Sequence, residues 1–146
     1  MRFSKLFAAT ALALGLGTAA QADEPNKLIT ILTAAEPQTQ LMAMVLTMNA
    51  IDAGAKAEML LCGPAGDIAL KDAPASATTG QPPKDASPQG LMQMMMAQKG
   101  LKVQVCAIYL PGKGTDASVL LDGVTAAAPD AMGAAIVADD TTVMSF

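Results

Sequence analysis

LITILTAAEPQTQLMAMVLTMNAIDAGAKAEMLLCGP, residues 28–64, is the stretch that decides the fold class. Leu28 to Thr33 is a short apolar, β-branched run with the length of a buried strand. Ala34-Ala35-Glu36-Pro37 follows, and proline at the first turn is a good helix start. From Gln38 to Ala53 the pattern turns helical, with Leu41, Met44, Val45, Met48 and Ile51 recurring on one face. Gly54 stands where a helix-ending glycine is expected, and Lys56 to Cys62 is apolar strand again, stopped by Gly63-Pro64. A strand, a helix and a strand joined so tightly predict a parallel pair with a right-handed crossover.

Working outward, residues 72–90 change character, with four prolines among Gly, Ser and Thr. They are expected to form a mobile Pro-rich loop, either a lid or a tolerated surface insertion. A second helix is expected from Pro88 or Gly90 to Lys99, closed by Gly100, and a strand from Leu101 to Tyr109. Pro111-Gly112-Lys113-Gly114 reads as a turn, Thr115 or Asp116 as the cap of a short helix to Leu121, and residues 123–127 as a small strand. Asp130 to Ala138 reads as a last helix and Thr141 to Phe146 as the final strand. Helices alternating with strands imply a single-domain α/β fold: a doubly wound, mainly parallel five-stranded sheet with helices on both faces.

Upstream of this domain, Arg2 and Lys5 precede an apolar run, Leu6 to Leu16, and then Ala20-Gln21-Ala22. A positive start, an apolar stretch and a small-x-small triplet are the three parts of a secretory signal. Residues 1–22 are therefore expected to be cleaved, leaving a short tail, 23–27, and the domain 28–146 in the periplasm, with no membrane span after cleavage. Without Arg2 and Lys5, seven basic side chains stand against thirteen acidic ones, a net charge of −6. An acidic surface without Lys/Arg clusters or stacking aromatics makes nucleic acid an unsuitable partner. The chain has no His, which removes Cys-His and Ser-His pairs and histidine metal sites.

Cys62 closes one predicted strand and Cys106 stands toward the end of another, and ligands of open parallel sheets gather outside the carboxyl ends of the strands. A thiol reacts as the thiolate, which a nearby cation or helix start favours. Lys113 and the helix start near Thr115 are placed to do this for Cys106. Against that stands the bland alternative, because free cysteine is also a common core residue. Eleven methionines need their own account. Met42/Met44, Met44/Met48 and Met92/Met96 have spacings that would suit a Cu(I) site, but on apolar helix faces they read first as packing. Met42 and Leu46 widen the first helix's stripe, and Leu91, Met92, Met94, Met95 and Met96 leave the second almost no polar side. Helices apolar nearly all round are buried on more than one side, so a second subunit is expected.

Residues 28–146 resemble the DsrE/DsrF-like family of small sulfur-relay proteins. The resemblance lies in the opening Lys27 to Thr33, the helix end Asn49-Ala50-Ile51-Asp52-Ala53-Gly54, and Gly100-Leu101-Lys102-Val103-Gln104-Val105-Cys106. It continues in Gly114-Thr115 before Leu120 to Val124 and in the closing Val143 to Phe146. It implies a parallel five-stranded fold, a homotrimer or homohexamer, no cofactor, and a cysteine that carries sulfur as a persulfide, at the position of Cys106. The best-understood members are cytoplasmic, whereas this chain carries a secretion signal and lacks a cysteine near its C-terminus. The expected function is then binding or transfer of sulfane sulfur between an exported donor and acceptor, with sulfurtransferase turnover left open. A non-catalytic binding or assembly module of the same fold and a Met/Cys copper(I) carrier are the alternatives. For Cys62 three readings stand: an inert strand-end residue, a second sulfur-handling thiol, or a disulfide with Cys106. If the two strands flank the first one they lie ~9.6 Å apart, and a disulfide then requires the loops to bend inward.

Overall fold

The structure, a computed structural model, describes residues 26–146. The expected leader, 1–22, and all but the end of the tail 23–27 lie outside the described residues. The strands are β1 (Lys27–Leu32), β2 (Lys56–Leu61), β3 (Lys102–Val105), β4 (Thr125–Ala126) and β5 (Thr141–Ser145). The helices are α1 (Pro37–Asp52), α2 (Ala75–Thr78), α3 (Pro88–Lys99), α4 (Tyr109–Lys113) and α5 (Pro129–Ile136). Short 3-10 turns cover Gly63–Ala69 and Ala117–Val119. All four strand pairings are parallel, in the order β4-β3-β2-β1-β5. This is the doubly wound α/β sheet that the alternating pattern predicts.

Local chemistry sets the helix ends. The Glu36 carboxylate accepts the amides of Gln38 and Thr39 at 3.0 and 2.7 Å, ahead of Pro37 in the first turn of α1. Those two bonds, led by Gln38, hold its carboxyl below the ordinary range. Ser87 caps α3 through Gly90, and Gly100 ends it at φ +70°, a left-handed conformation that favours glycine. At the amino edge of the sheet, exposed ion pairs join Lys102 to Glu58 at 2.8 Å and Lys27 to Asp140 at 2.9 Å.

The two faces of the sheet are unequal. Strand alternation sends Leu32, Met59, Leu61, Val103 and Val105 to one face, where they pack with Met44 of α1 and Met92 and Met95 of α3. Ile29 and Leu60 go to the other, under Met132 of α5. On the first face, the expected contact stripe of α1 is rotated. The fully buried positions are Gln40, Ala43, Met44 and Thr47, while Leu41, Val45 and Met48 are only partly covered. Polar residues fill buried positions of α1 where most of their polar groups find partners. Thr47 Oγ1 lies 2.7 Å from Thr30 Oγ1 and donates to the Ala43 carbonyl, and Gln40 Nε2 donates to the Ala34 carbonyl.

Two other expectations are corrected. The strand read as Leu101 to Tyr109 stops at Val105, because its partner β2 ends at Leu61 and the ladder has nothing further to pair with. Tyr109 to Lys113 forms α4, so the residues read as a Pro111–Gly114 turn are a helical turn capped by Gly114 at φ +65°. The Pro-rich segment 72–90 holds α2 with its buried Ala77, an isolated Gln81–Ala86 bridge, and the start of α3 at the buried Pro88. Cys62 and Cys106 leave neighbouring strands, not strands that flank β1. Among the described residues no helix is long and apolar enough to cross a membrane.

Candidate functional site: the paired cysteines at the carboxyl edge

β2 and β3 run side by side with Leu61 opposite Val105, so the next residue of each, Cys62 and Cys106, emerge together at the carboxyl edge. Backbone bonds hold both in place: the Cys106 amide donates to the Leu61 carbonyl and the Cys62 amide to the Leu32 carbonyl, each at 2.9 Å. The two side chains are joined as a disulfide with Cα atoms 5.1 Å apart, inside the range a bridge requires. The pair is partly buried, beside Ile29, Ile31, Leu60, Ala127 and Met132 on the thinly covered face. Sequence reasoning found both cysteines but not their adjacency, since strand order is not written in either strand.

The segments that follow the two cysteines are tied to each other. Asp67, in the turn after Cys62, accepts the Tyr109 hydroxyl at 2.6 Å and pairs with Lys113 Nζ at 2.6 Å. Tyr109 and Lys113 belong to α4, after Cys106, and the Lys113 ammonium also sits 5.4 Å from the centre of the Tyr109 ring. Gly66 permits the contact, because a β-carbon there would collide with that ring. Burial pushes the Asp67 carboxyl up, but the hydrogen bonds from Lys113 and Tyr109, together with the Lys113 charge, outweigh it and leave the group below its ordinary value. Burial, then the bond to Asp67 and its charge, pushes the Tyr109 phenol up. The sequence reading assigned Lys113 to the thiol; in the structure its ammonium is shared with Asp67 and Tyr109. Asp67 and Tyr109 were missed. The available signal was a single carboxylate in the otherwise uncharged run Pro64 to Leu70.

Beside this cluster a cleft of about 210 Å³ is lined by Ala35, Gln40, Pro64, Asp67, Ile68 and Pro74. The buried Gln40 Oε1 accepts no hydrogen bond from any described residue. Among the described residues no three His, Cys, Asp or Glu side chains cluster as a metal site. Of the methionines weighed as soft ligands, Met44 and Met92 are fully buried in the core and Met42 is exposed.

No family model matches the chain, and no curated protein matches it. Several solved structures resemble it, among them the following two. The protein of unknown function MTH1491 from Methanobacterium thermoautotrophicum is 12% identical, with a TM-score of 0.63, over 83% of this chain and 99% of that one. The ychN protein from E. coli is 16% identical, with a TM-score of 0.60, over the same 83% and 99%. At such identities the likeness carries the fold alone: the chain shares the single-domain, five-stranded parallel α/β fold of these two proteins.

Proposed function

We propose that this chain is an exported protein that binds or transfers sulfane sulfur as a persulfide on Cys106. The observation that carries the reading is the meeting of two cysteines at the carboxyl edge of a DsrE-like sheet, where open α/β folds gather their ligands. The leader-like residues 1–22 support a periplasmic setting, with a donor and an acceptor of sulfur there. Lys113 enters as a partner of Asp67, holding α4 against the turn after Cys62. The test is mass spectrometry of the protein isolated from its native compartment. A gain of about 32 Da on Cys106 is expected in Cys62→Ser, where no neighbouring thiol can close on it, and none in Cys106→Ser. Protein that never carries extra sulfur leaves the disulfide as a structural cross-link in a binding module.

The reading includes self-assembly as a homotrimer or homohexamer. Met42 and Leu46 are 51% and 42% exposed, and Leu41, Met42, Val45, Met48, Pro83 and Leu91 line an apolar groove of about 550 Å³. Apolar surface gathered this way commonly marks an interface, and closed rings are the default for homo-oligomers. Light scattering is expected to give several times the mass of one chain, and Met42→Glu to shift it toward monomer. A monodisperse monomer removes assembly from the reading. Met92, expected from sequence to share this patch, is fully buried in the core, so Met92→Glu reports on folding.

A further inference from the structure

Resting on that sulfur-binding reading, we infer that Cys62 is the resolving thiol of the site, so that a persulfide on Cys106 is discharged as hydrosulfide and the cysteine pair closes. The chain holds two cysteines, so Cys62 is the only thiol of its own that can meet sulfur on Cys106. Their backbones are fixed 5.1 Å apart by the parallel register and by the amide bonds to Leu61 and Leu32, none of which needs the sulfur–sulfur bond. The Asp67, Tyr109 and Lys113 cluster adds a second tie between the segments that leave the two cysteines. Opening the disulfide therefore leaves two thiols in reach of each other, and an intramolecular attack in a preset geometry outruns one from solution.

The step balances as a thiol–disulfide exchange. The Cys62 thiolate, its proton given to solvent, attacks Sγ of the Cys106 persulfide. A bond forms between the two Sγ atoms, the bond from Cys106 Sγ to the outer sulfur breaks, and its electron pair leaves with the protonated outer sulfur as HS⁻. The sulfane sulfur gains two electrons and the cysteine pair loses two. An external dithiol reductant then reopens the disulfide, and a persulfide or polysulfide reloads Cys106. The form seen in the structure is the discharged one.

The experiment mixes the reduced purified protein, freed of reductant and oxygen, with one equivalent of inorganic tetrasulfide. Intact mass and released sulfide are then read for the unmodified chain, Cys62→Ser and Cys106→Ser. The unmodified chain is expected to end about 2 Da below its reduced mass, with one more sulfide per chain than Cys62→Ser, which keeps a stable gain of about 32 Da. An unmodified chain that keeps the added sulfur with Cys62 free overturns the inference and leaves Cys106 as a sulfur binder. Added sulfur on Cys106→Ser but not on Cys62→Ser reverses the two roles and overturns it as well. No sulfur on any chain, and no closure, overturns the sulfur reading itself. Circular dichroism checks each variant, and Cys62→Ala replaces Cys62→Ser if the hydroxyl disturbs the partly buried site.

Discussion

The same strands build two different faces. Under α1 and α3, Leu32, Met59, Leu61, Val103 and Val105 meet Met44, Met92 and Met95 with almost no exposure. Under α5, Ile29, Leu60, Ala127 and Met132 are the buried apolar residues, and Ile31, Ile136 and both cysteines are only partly covered. The first face has the close packing that makes volume changes expensive. The second leaves the disulfide partly covered, with Cys106 also touching the edge of the first cluster. The first face holds most of the buried apolar side chains, and regions with few buried apolar contacts open at lower free energy.

Adjacent leucines of β2 test this directly. Leu61 points to the thick face and is 0% exposed; Leu60 points to the thin face and is 8% exposed. Leu61→Ala is expected to lose about 4 kcal/mol and Leu60→Ala about 2 kcal/mol in urea unfolding, since the cost follows the cavity left behind. Equal losses would break the comparison.

Next in size is the disulfide. Its partners are 44 residues apart, and removing it through the double change Cys62→Ser with Cys106→Ser is expected to lower stability by about 3 kcal/mol, mainly by freeing the unfolded chain. Hydrogen exchange sharpens the result: core amides of α1 and α3, which open with global unfolding, should lose protection by that amount, and amides after Val105 and in α5 should lose more. Uniform loss across both faces would mean that the bond acts through the unfolded chain alone.

The smallest effect belongs to Asp67. Its folded-state carboxyl is held below the ordinary value of 3.8. The folded protein therefore binds the proton less readily than the unfolded one. This contribution is fully present above pH 3.8 and is lost as pH falls through the folded-state value. Asp67→Asn is expected to cost under about 1 kcal/mol near neutral pH, because solvent screens the pair, and the difference from the unmodified protein should shrink below about pH 4. A difference that persists unchanged in acid would assign the loss to packing.

Legibility varied along the chain for physical reasons. Leu28 to Thr33, Gly54 and Lys56 to Cys62 announced strand, helix end and strand because their periodicity and punctuation are local. The buried stripe of α1 was misread because Gln40 and Thr47 count as polar until the partners of their side chains are known, and Thr30 is 17 residues from Thr47. Cys106-Ala107-Ile108-Tyr109 continued an apolar strand pattern, yet the chain turns into α4 once β2 offers no further backbone to pair with. Met42 and Leu46 stayed exposed as expected, whereas Met92 sank into the core when α3 packed against α1.

By itself, the order of residues determined that this chain alternates strand and helix, that its sheet is parallel, and that Cys62 ends a strand, because propensity, capping and crossover handedness act over short spans. Only the tertiary structure decided that β2 and β3 are neighbours, that Cys62 therefore meets Cys106, and that Asp67 draws Tyr109 and Lys113 across the site. Those contacts join residues 42 to 46 positions apart. Strand order and side-chain partners at that range are set by how whole faces bury apolar surface together, a property of the assembled sheet that no local pattern encodes.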